Sequence, residues 1–287
     1  MGGVVRALPV LALLLNAFTW GVSWWPLRWL QQHGLHPLWA TALIYLAAVA
    51  AITLARPQAW RQLFGAPVLW VLVAAAGTTN ATFNWAVTIG DVVRVVLLFY
   101  LMPLWAVLLA RLLLGERLTP WAALRIVMAL AGAAIVLQPA GGGWPLPRTP
   151  AEWLGVVGGF SFALNNVMLR REARQTEAAR ALAMFLGGAL VATLLAGSLA
   201  LHGSLALPPP QPAWLAGAAG LTLAFLAGNL ALQYGAARLP ANVTAVVMVS
   251  EVLFASVSAV LLGAGQLTPA LALGGALIVG ASLLSRR

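Results

Sequence analysis

Glu251 is the residue whose placement most constrains the chemistry of this chain. It falls well inside an apolar run that begins near position 241, with no basic residue within twelve positions in sequence. A carboxylate surrounded by hydrocarbon is expensive, so such a residue faces a partner or a watery cavity and often marks a pathway. It could carry a proton, balance a substrate ammonium, or organise hydrogen bonds in a cavity. The alternative is a protonated carboxyl bonded to a neighbouring helix.

Other polar residues fall into stripes at helical spacing. Asn16, Thr19, Trp20, Ser23 and Trp24 share one broad face, and Gly77, Asn80, Asn84 and Thr88 share another. Gly158, Ser161, Phe162 and Asn165 form a third, followed by Thr222, Phe225, Asn229 and Gln233. The last stripe holds Thr244, Met248, Glu251, Ala255 and Ser258. Steps of three and four residues turn each stripe toward a common interior. Amides, hydroxyls and rings together suit a cavity that binds a small molecule. Hydroxyls can instead bond their own helix, and small residues can serve close helix packing. The spacing of Gly155 and Gly159 is of that packing type.

Signals for catalysis are missing. His33, His36 and His202 stand in connections without a second ligand at metal spacing. No Gly-x-Ser-x-Gly, phosphate-binding glycine loop or pair of intramembrane carboxylates occurs. The expectation is a protein that is not an enzyme and needs no metal or cofactor. Cysteine is absent, which excludes disulfides and thiol chemistry.

The elements that must position these residues are membrane spans. The chain of 287 residues is 62% hydrophobic and only 8% charged, far below the charged share of a soluble domain. A net charge of +10 comes entirely from arginines scattered at segment ends, which fits a multi-span protein and not a nucleic-acid binder. Ten segments are apolar enough to span, at 8–29, 37–55, 67–88, 92–113, 120–137, 151–170, 180–201, 213–235, 241–262 and 268–285. The first reads as an uncleaved span, because no clean cleavage site follows it. With both termini cytoplasmic, thirteen of the sixteen arginines lie inside. Asp91 and Arg94, one turn apart at an outer helix start, suit an ion pair. Trp24, Trp25, Trp29 and Trp39 suit the outer interface.

The chain is also written twice. Gly115-Glu116-Arg117-Leu118-Thr119-Pro120 is echoed by Ala264-Gly265-Gln266-Leu267-Thr268-Pro269, and the same offset pairs Asn80 with Asn229 and Asn84 with Gln233. Near the starts of the halves Phe18, Trp20 and Arg28 match Phe160, Phe162 and Arg170. Glu251 has Met102 as its mate, so the carboxylate is not duplicated. Five spans per repeat is an odd number, which inverts the second half in the membrane. The expected fold is an all-α integral membrane protein of ten transmembrane helices. Two inverted five-helix repeats, 1–140 and 151–287 with a connection at 141–150, would surround a central cavity.

These features resemble the drug/metabolite transporter superfamily, and within it the EamA-type exporters. The likeness rests on Trp20-Gly21 in span 1, Pro103 in span 4, Glu116-Arg117-Leu118-Thr119 before span 5 and Glu251 in span 9. Gly265-Gln266 stands where the family commonly has Gly-Glu, and Val252 follows Glu251 where proline is common. The chain is most similar to bacterial YddG-type exporters of aromatic amino acids. That resemblance implies a multi-pass protein of the bacterial inner membrane, compatible with a monomer in the lipid bilayer. It would export aromatic amino acids and related metabolites by alternating access. The expected substrate contacts are Trp20, Ser23, Asn80, Asn84, Tyr100, Phe162, Asn165, Asn229, Gln233 and Glu251. Export of drugs, cations or nucleotide sugars, or a passive pore, are the competing readings. Nucleotide sugars fit least, since Arg94 is the one basic candidate for their phosphates.

Overall fold

The computed structural model describes residues 4–115, 119–138, 144–172, 174–209, 211–236, 238 and 241–283. Among them the chain is all helical, with thirteen helices and no strand. These are α1 (Val4–Val22), α2 (Trp24–Gln32), α3 (Pro37–Ala55), α4 (Gln58–Gly65), α5 (Leu69–Ile89), α6 (Val92–Phe99) and α7 (Met102–Leu114). There follow α8 (Pro120–Leu137), α9 (Pro150–Arg171), α10 (Glu177–Leu201), α11 (Pro212–Ala236), α12 (Ala241–Leu261) and α13 (Pro269–Leu283). The Glu116-Arg117-Leu118 turn and residues 139–143, across the end of the first repeat and the start of the connection, lie outside the described residues.

Five stretches are long and apolar enough to cross a membrane: Ala7–Gln32, Pro37–Ala55, Val92–Leu114, Glu177–Leu201 and Trp214–Leu232. A sixth is α4 with α5, bent by 106° where they join. This is an integral membrane protein. Among the described residues ten spans are not reached on length and hydropathy alone, and for α9 a polar stripe supplies a reason. Helix α9 carries Ser161, Asn165, Asn166 and Arg171.

Prolines account for two internal breaks. Pro26 has no N–H to donate to the carbonyl four residues back, and α1 ends at Val22. Pro103 likewise cannot bond Phe99, where α6 ends. The second break turns Tyr100 and Leu101 out of helical register at mid-span, and Tyr100 is thereby delivered to the interior.

Small residues set how closely the helices approach. A Cβ on Gly159 would overlap the Phe99 carbonyl, and one on Gly155 would press on the Val95 carbonyl, so α9 lies directly against the backbone of α6. Gly77 and Gly187 do the same between α5 and α10, as do Gly132 and Gly274 between α8 and α13. Helix α1 packs on α11 and α12, while α9 packs on α5, α6 and α7. Helices α3 and α5 both pack on α10, and α11 on α3. Lipid-facing leucines such as Leu11, Leu54, Leu194 and Leu223 are exposed on the outside of the bundle.

Candidate functional site

A cavity of about 620 Å³ lies inside the bundle. Its volume is that of a site for a small organic molecule. Eight rings line it: Trp20, Tyr45, Phe83, Phe99, Tyr100, Phe162, Phe185 and Phe225. The proline-freed segment after α6 supplies Tyr100, and α9 brings Phe162 to within 5.3 Å of Phe99. Trp20 stacks on Phe225 at 4.6 Å, and Tyr45 stands edge-on to Phe225 at 6.1 Å. Most of these contacts are offset or tilted, the arrangement that ring quadrupoles favour.

The polar part is narrower. Glu251 faces the cavity from α12, and its Oε2 accepts a hydrogen bond from the Tyr100 hydroxyl at 3.3 Å. That hydroxyl also lies 3.4 Å from the Met248 carbonyl oxygen. Asn16 donates from Nδ2 to the Met248 sulfur at 3.6 Å, so α1 meets the same turn of α12. The Tyr45 hydroxyl donates to Oδ1 of Asn80, whose own Nδ2 donates to the Ala76 carbonyl at 2.7 Å. Asn165, Asn166 and Asn229 complete the amide set.

Of the residues expected from sequence, Trp20, Asn80, Tyr100, Phe162, Asn165, Asn229 and Glu251 all line this cavity. Ser23 and Asn84 stand elsewhere. The Ser23 hydroxyl donates to the Trp20 carbonyl at 2.8 Å, inside the α1–α2 break, and Asn84 donates to the Thr41 hydroxyl at 3.0 Å in a fully buried packing contact. Gln233 is on α11 with Asn229, but its side chain lies outside the described residues. Tyr45 and Asn16 also line the cavity, although Tyr45 belongs to no polar stripe and Asn16 is not among the contacts expected from the sequence.

The lining residues sit near the middle of their helices or toward the end where α1 begins and α9 and α11 finish. At the opposite end side chains tie the helices together. There Trp24 is buried and donates to the Ser258 hydroxyl at 2.9 Å, so it serves as a cross-helix tie and not as an interface anchor. Asp91 caps α6 by accepting from the Arg94 N–H at 2.8 Å, and its second oxygen accepts from the Gln266 N–H at 3.1 Å. The Val92 N–H donates to the Ala264 carbonyl at 3.3 Å. The Arg94 guanidinium does not take Asp91 as its charge partner. It pairs with Glu152 at 2.6 Å, where α9 starts with a capping box formed by Thr149 and Glu152. Arg28 is held by the carbonyls of Val87, at 3.0 Å, and Gly90.

Among the described residues no group of His, Asp and Glu has the form of a metal site. Nor does any arginine or histidine among them line the cavity.

Residues 7–138 match the EamA-like transporter family. The chain is 31% identical over 128 residues to an uncharacterized transporter of Pseudomonas aeruginosa, covering 43% of this chain and 40% of that protein. It is 33% identical over 114 residues to the chloramphenicol-sensitive protein RarD of the same organism, covering 37% of this chain and 38% of that one. These matches thus span about two fifths of the length of the curated relatives. A crystal structure described only as that of a protein shares the fold, with a TM-score of 0.56 and 23% identity over 98% of this chain and 97% of the other.

Proposed function

We propose that this chain, whose residues 7–138 match the EamA-like transporter family, is a membrane transporter that exports small aromatic metabolites, aromatic amino acids among them. One observation carries the reading. A cavity walled by eight aromatic rings also holds a single carboxylate, Glu251, and a set of amides. Rings stack an aromatic side chain, and the polar groups meet its amino end.

The working cycle in this proposal is alternating access between two inverted five-helix repeats, 1–140 and 151–287. The packing pattern supports that symmetry. Counting α1–α2, α4–α5 and α6–α7 as single units gives ten among the described residues. Helix α1 then meets α11 and α12 as α9 meets α5 and α6–α7, and α5 meets α10 as α11 meets α3. These contacts between halves come as mated pairs, as a two-fold axis in the membrane plane requires. Asn80 and Asn229, repeat mates, both reach the cavity.

With the start of α1 read as cytoplasmic from the arginine bias, the end tied by Trp24–Ser258 and Asp91–Gln266 faces outward in this proposal. Those ties argue against a passive pore. The absence of a cation among the described lining residues argues against nucleotide sugars. The test is uptake of labelled phenylalanine and tryptophan into proteoliposomes, with and without a pH gradient, for wild type and Glu251→Gln. Saturable flux that falls in the variant is the expected result. No saturable flux of either compound would sink the assignment and leave the fold untouched.

A further inference from the structure

We propose that the cavity is built to hold the amine end of its cargo and has no counterpart for a carboxylate, so that its preferred substrate is an aromatic monoamine cation without an acid group. The inference rests on the exporter reading above and narrows its substrate class.

The acceptors come first. Glu251 receives only the long Tyr100 contact of 3.3 Å among the described residues, which leaves most of its lone pairs open. Oδ1 of Asn16 and Oδ1 of Asn165 are buried without a donor, in residues 1% and 2% exposed. The orientation of Asn16 is fixed chemically: its Nδ2 donates to the Met248 sulfur, and a flipped amide would set oxygen against sulfur. Asn16 and Glu251 address the same turn of α12, and Asn165 lines the same cavity. Buried acceptors without donors are costly, and native sites keep few without reason. An ammonium group brings three N–H donors and a positive charge, which is what a carboxylate and two orphan carbonyls lack. The ring faces of Trp20 and Phe162 add attraction for a cation.

The donors tell the opposite story for an acid. The chain contains no lysine. Arg28 is spent on backbone carbonyls and Arg94 on Glu152, both at the tied end. Asn80 already donates to Ala76 and accepts from Tyr45. Among the described lining residues a substrate carboxylate would therefore meet only neutral donors while sharing a cavity with Glu251, an arrangement that selects against it.

The experiment is a binding titration at neutral pH, read by intrinsic tryptophan fluorescence of the purified wild-type protein in detergent. Three ligands share one skeleton: phenethylamine, phenylalanine and 3-phenylpropanoate. Phenethylamine should bind roughly tenfold or more tighter than phenylalanine, with phenylpropanoate weakest. Glu251→Gln, checked for folding by thermal unfolding, should lose most of the preference for the amine. Phenylalanine binding as tightly as phenethylamine overturns the inference and leaves the exporter reading standing. Binding of none of the three removes aromatic metabolites as cargo, and this inference with them.

Discussion

The Tyr100 hydroxyl donates to Oε2 of Glu251 at 3.3 Å, tying a proline-made break in the first half of the chain to a mid-helix carboxylate of the second. Repeat symmetry pairs Glu251 with Met102, so the contact brings together residues that are not mates but sit within two positions of being so. The break after Phe99 is what lets the Tyr100 ring leave the helix surface and reach across. The carboxylate is thereby steered from one side only, and its remaining acceptor capacity faces the cavity.

Tyr100→Phe tests that steering. The ring would keep its packing against Phe99, 6.2 Å away, and lose only the donor. At this length the hydrogen bond is worth about 1 kcal/mol, or roughly fivefold in apparent affinity. The expected outcome is a KM for aromatic substrate raised by about that factor, with an unfolding temperature close to wild type. An unchanged KM would show that the hydroxyl does not position Glu251.

Much of this arrangement was legible in the sequence because hydrocarbon makes polarity conspicuous. Glu251 stood out through cost alone, and Asn80 and Asn229 through their repeat offset. The breaks at Val22 and Phe99 follow from Pro26 and Pro103, each four positions further on. What spacing does not convey is depth. Asn84 lies one turn beyond Asn80 on the same stripe, and that turn carries it past the cavity into a dry contact with Thr41. Tyr45 stays hidden for the reverse reason: of its one-turn neighbours Ala42, Ala48 and Val49 are apolar and only Thr41 is polar, so a tyrosine there reads as core. The partner of Arg94 was also out of reach, because Glu152 is distant in sequence and Asp91 is near.

Close packing predicts a pair of opposite outcomes at two helical glycines. A Cβ on Gly187 would run into the Val73 carbonyl, backbone that cannot step aside as a flexible side chain could. Gly187→Ala should cost about 1–3 kcal/mol and lower the unfolding temperature in detergent. Gly220 has nothing within 4 Å of an added Cβ. Gly220→Ala should be neutral or stabilising by about 0.5–1 kcal/mol through helix propensity. Equal effects at both sites would contradict the α5–α10 contact.

His36 gives a pH dependence outside the spans. Its Nδ1 accepts from the Leu38 N–H at 3.3 Å at the start of α3, which requires an unprotonated Nδ1. Burial holds its pKa below the ordinary 6.5. In the window between the folded and unfolded values the unfolded chain binds more protons, so stability rises with pH there. The contribution is complete above the unfolded value and is lost as pH falls through the window toward the lowered folded pKa. His36→Asn keeps a capping acceptor and removes the titration. Thermal unfolding followed from pH 7 to about pH 5 should drop less for the variant than for wild type. Parallel curves would clear His36 of the effect.

The tied outer end carries the last prediction, because alternating access requires it to open. Glu152 is nearly buried and pairs with Arg94 at 2.6 Å, joining α6 to α9 across the seal. Glu152→Gln preserves the capping box, in which glutamine serves as well as glutamate, and removes only the charge. Arg94 then lacks its counter-ion in the closed state, and the balance shifts toward states in which water reaches it. A shift of about 1.4 kcal/mol would raise the open population roughly tenfold. The chain has no cysteine, so a single reporter has no background. Ala259, fully buried near the outer end of α12, is a suitable position. Ala259→Cys should react slowly with a membrane-impermeant maleimide added from outside, and about tenfold faster when Glu152→Gln is present. Identical labelling in both backgrounds would mean that this pair does not hold the seal, and the outward-opening step would have to be sought at the Asp91–Gln266 contact instead.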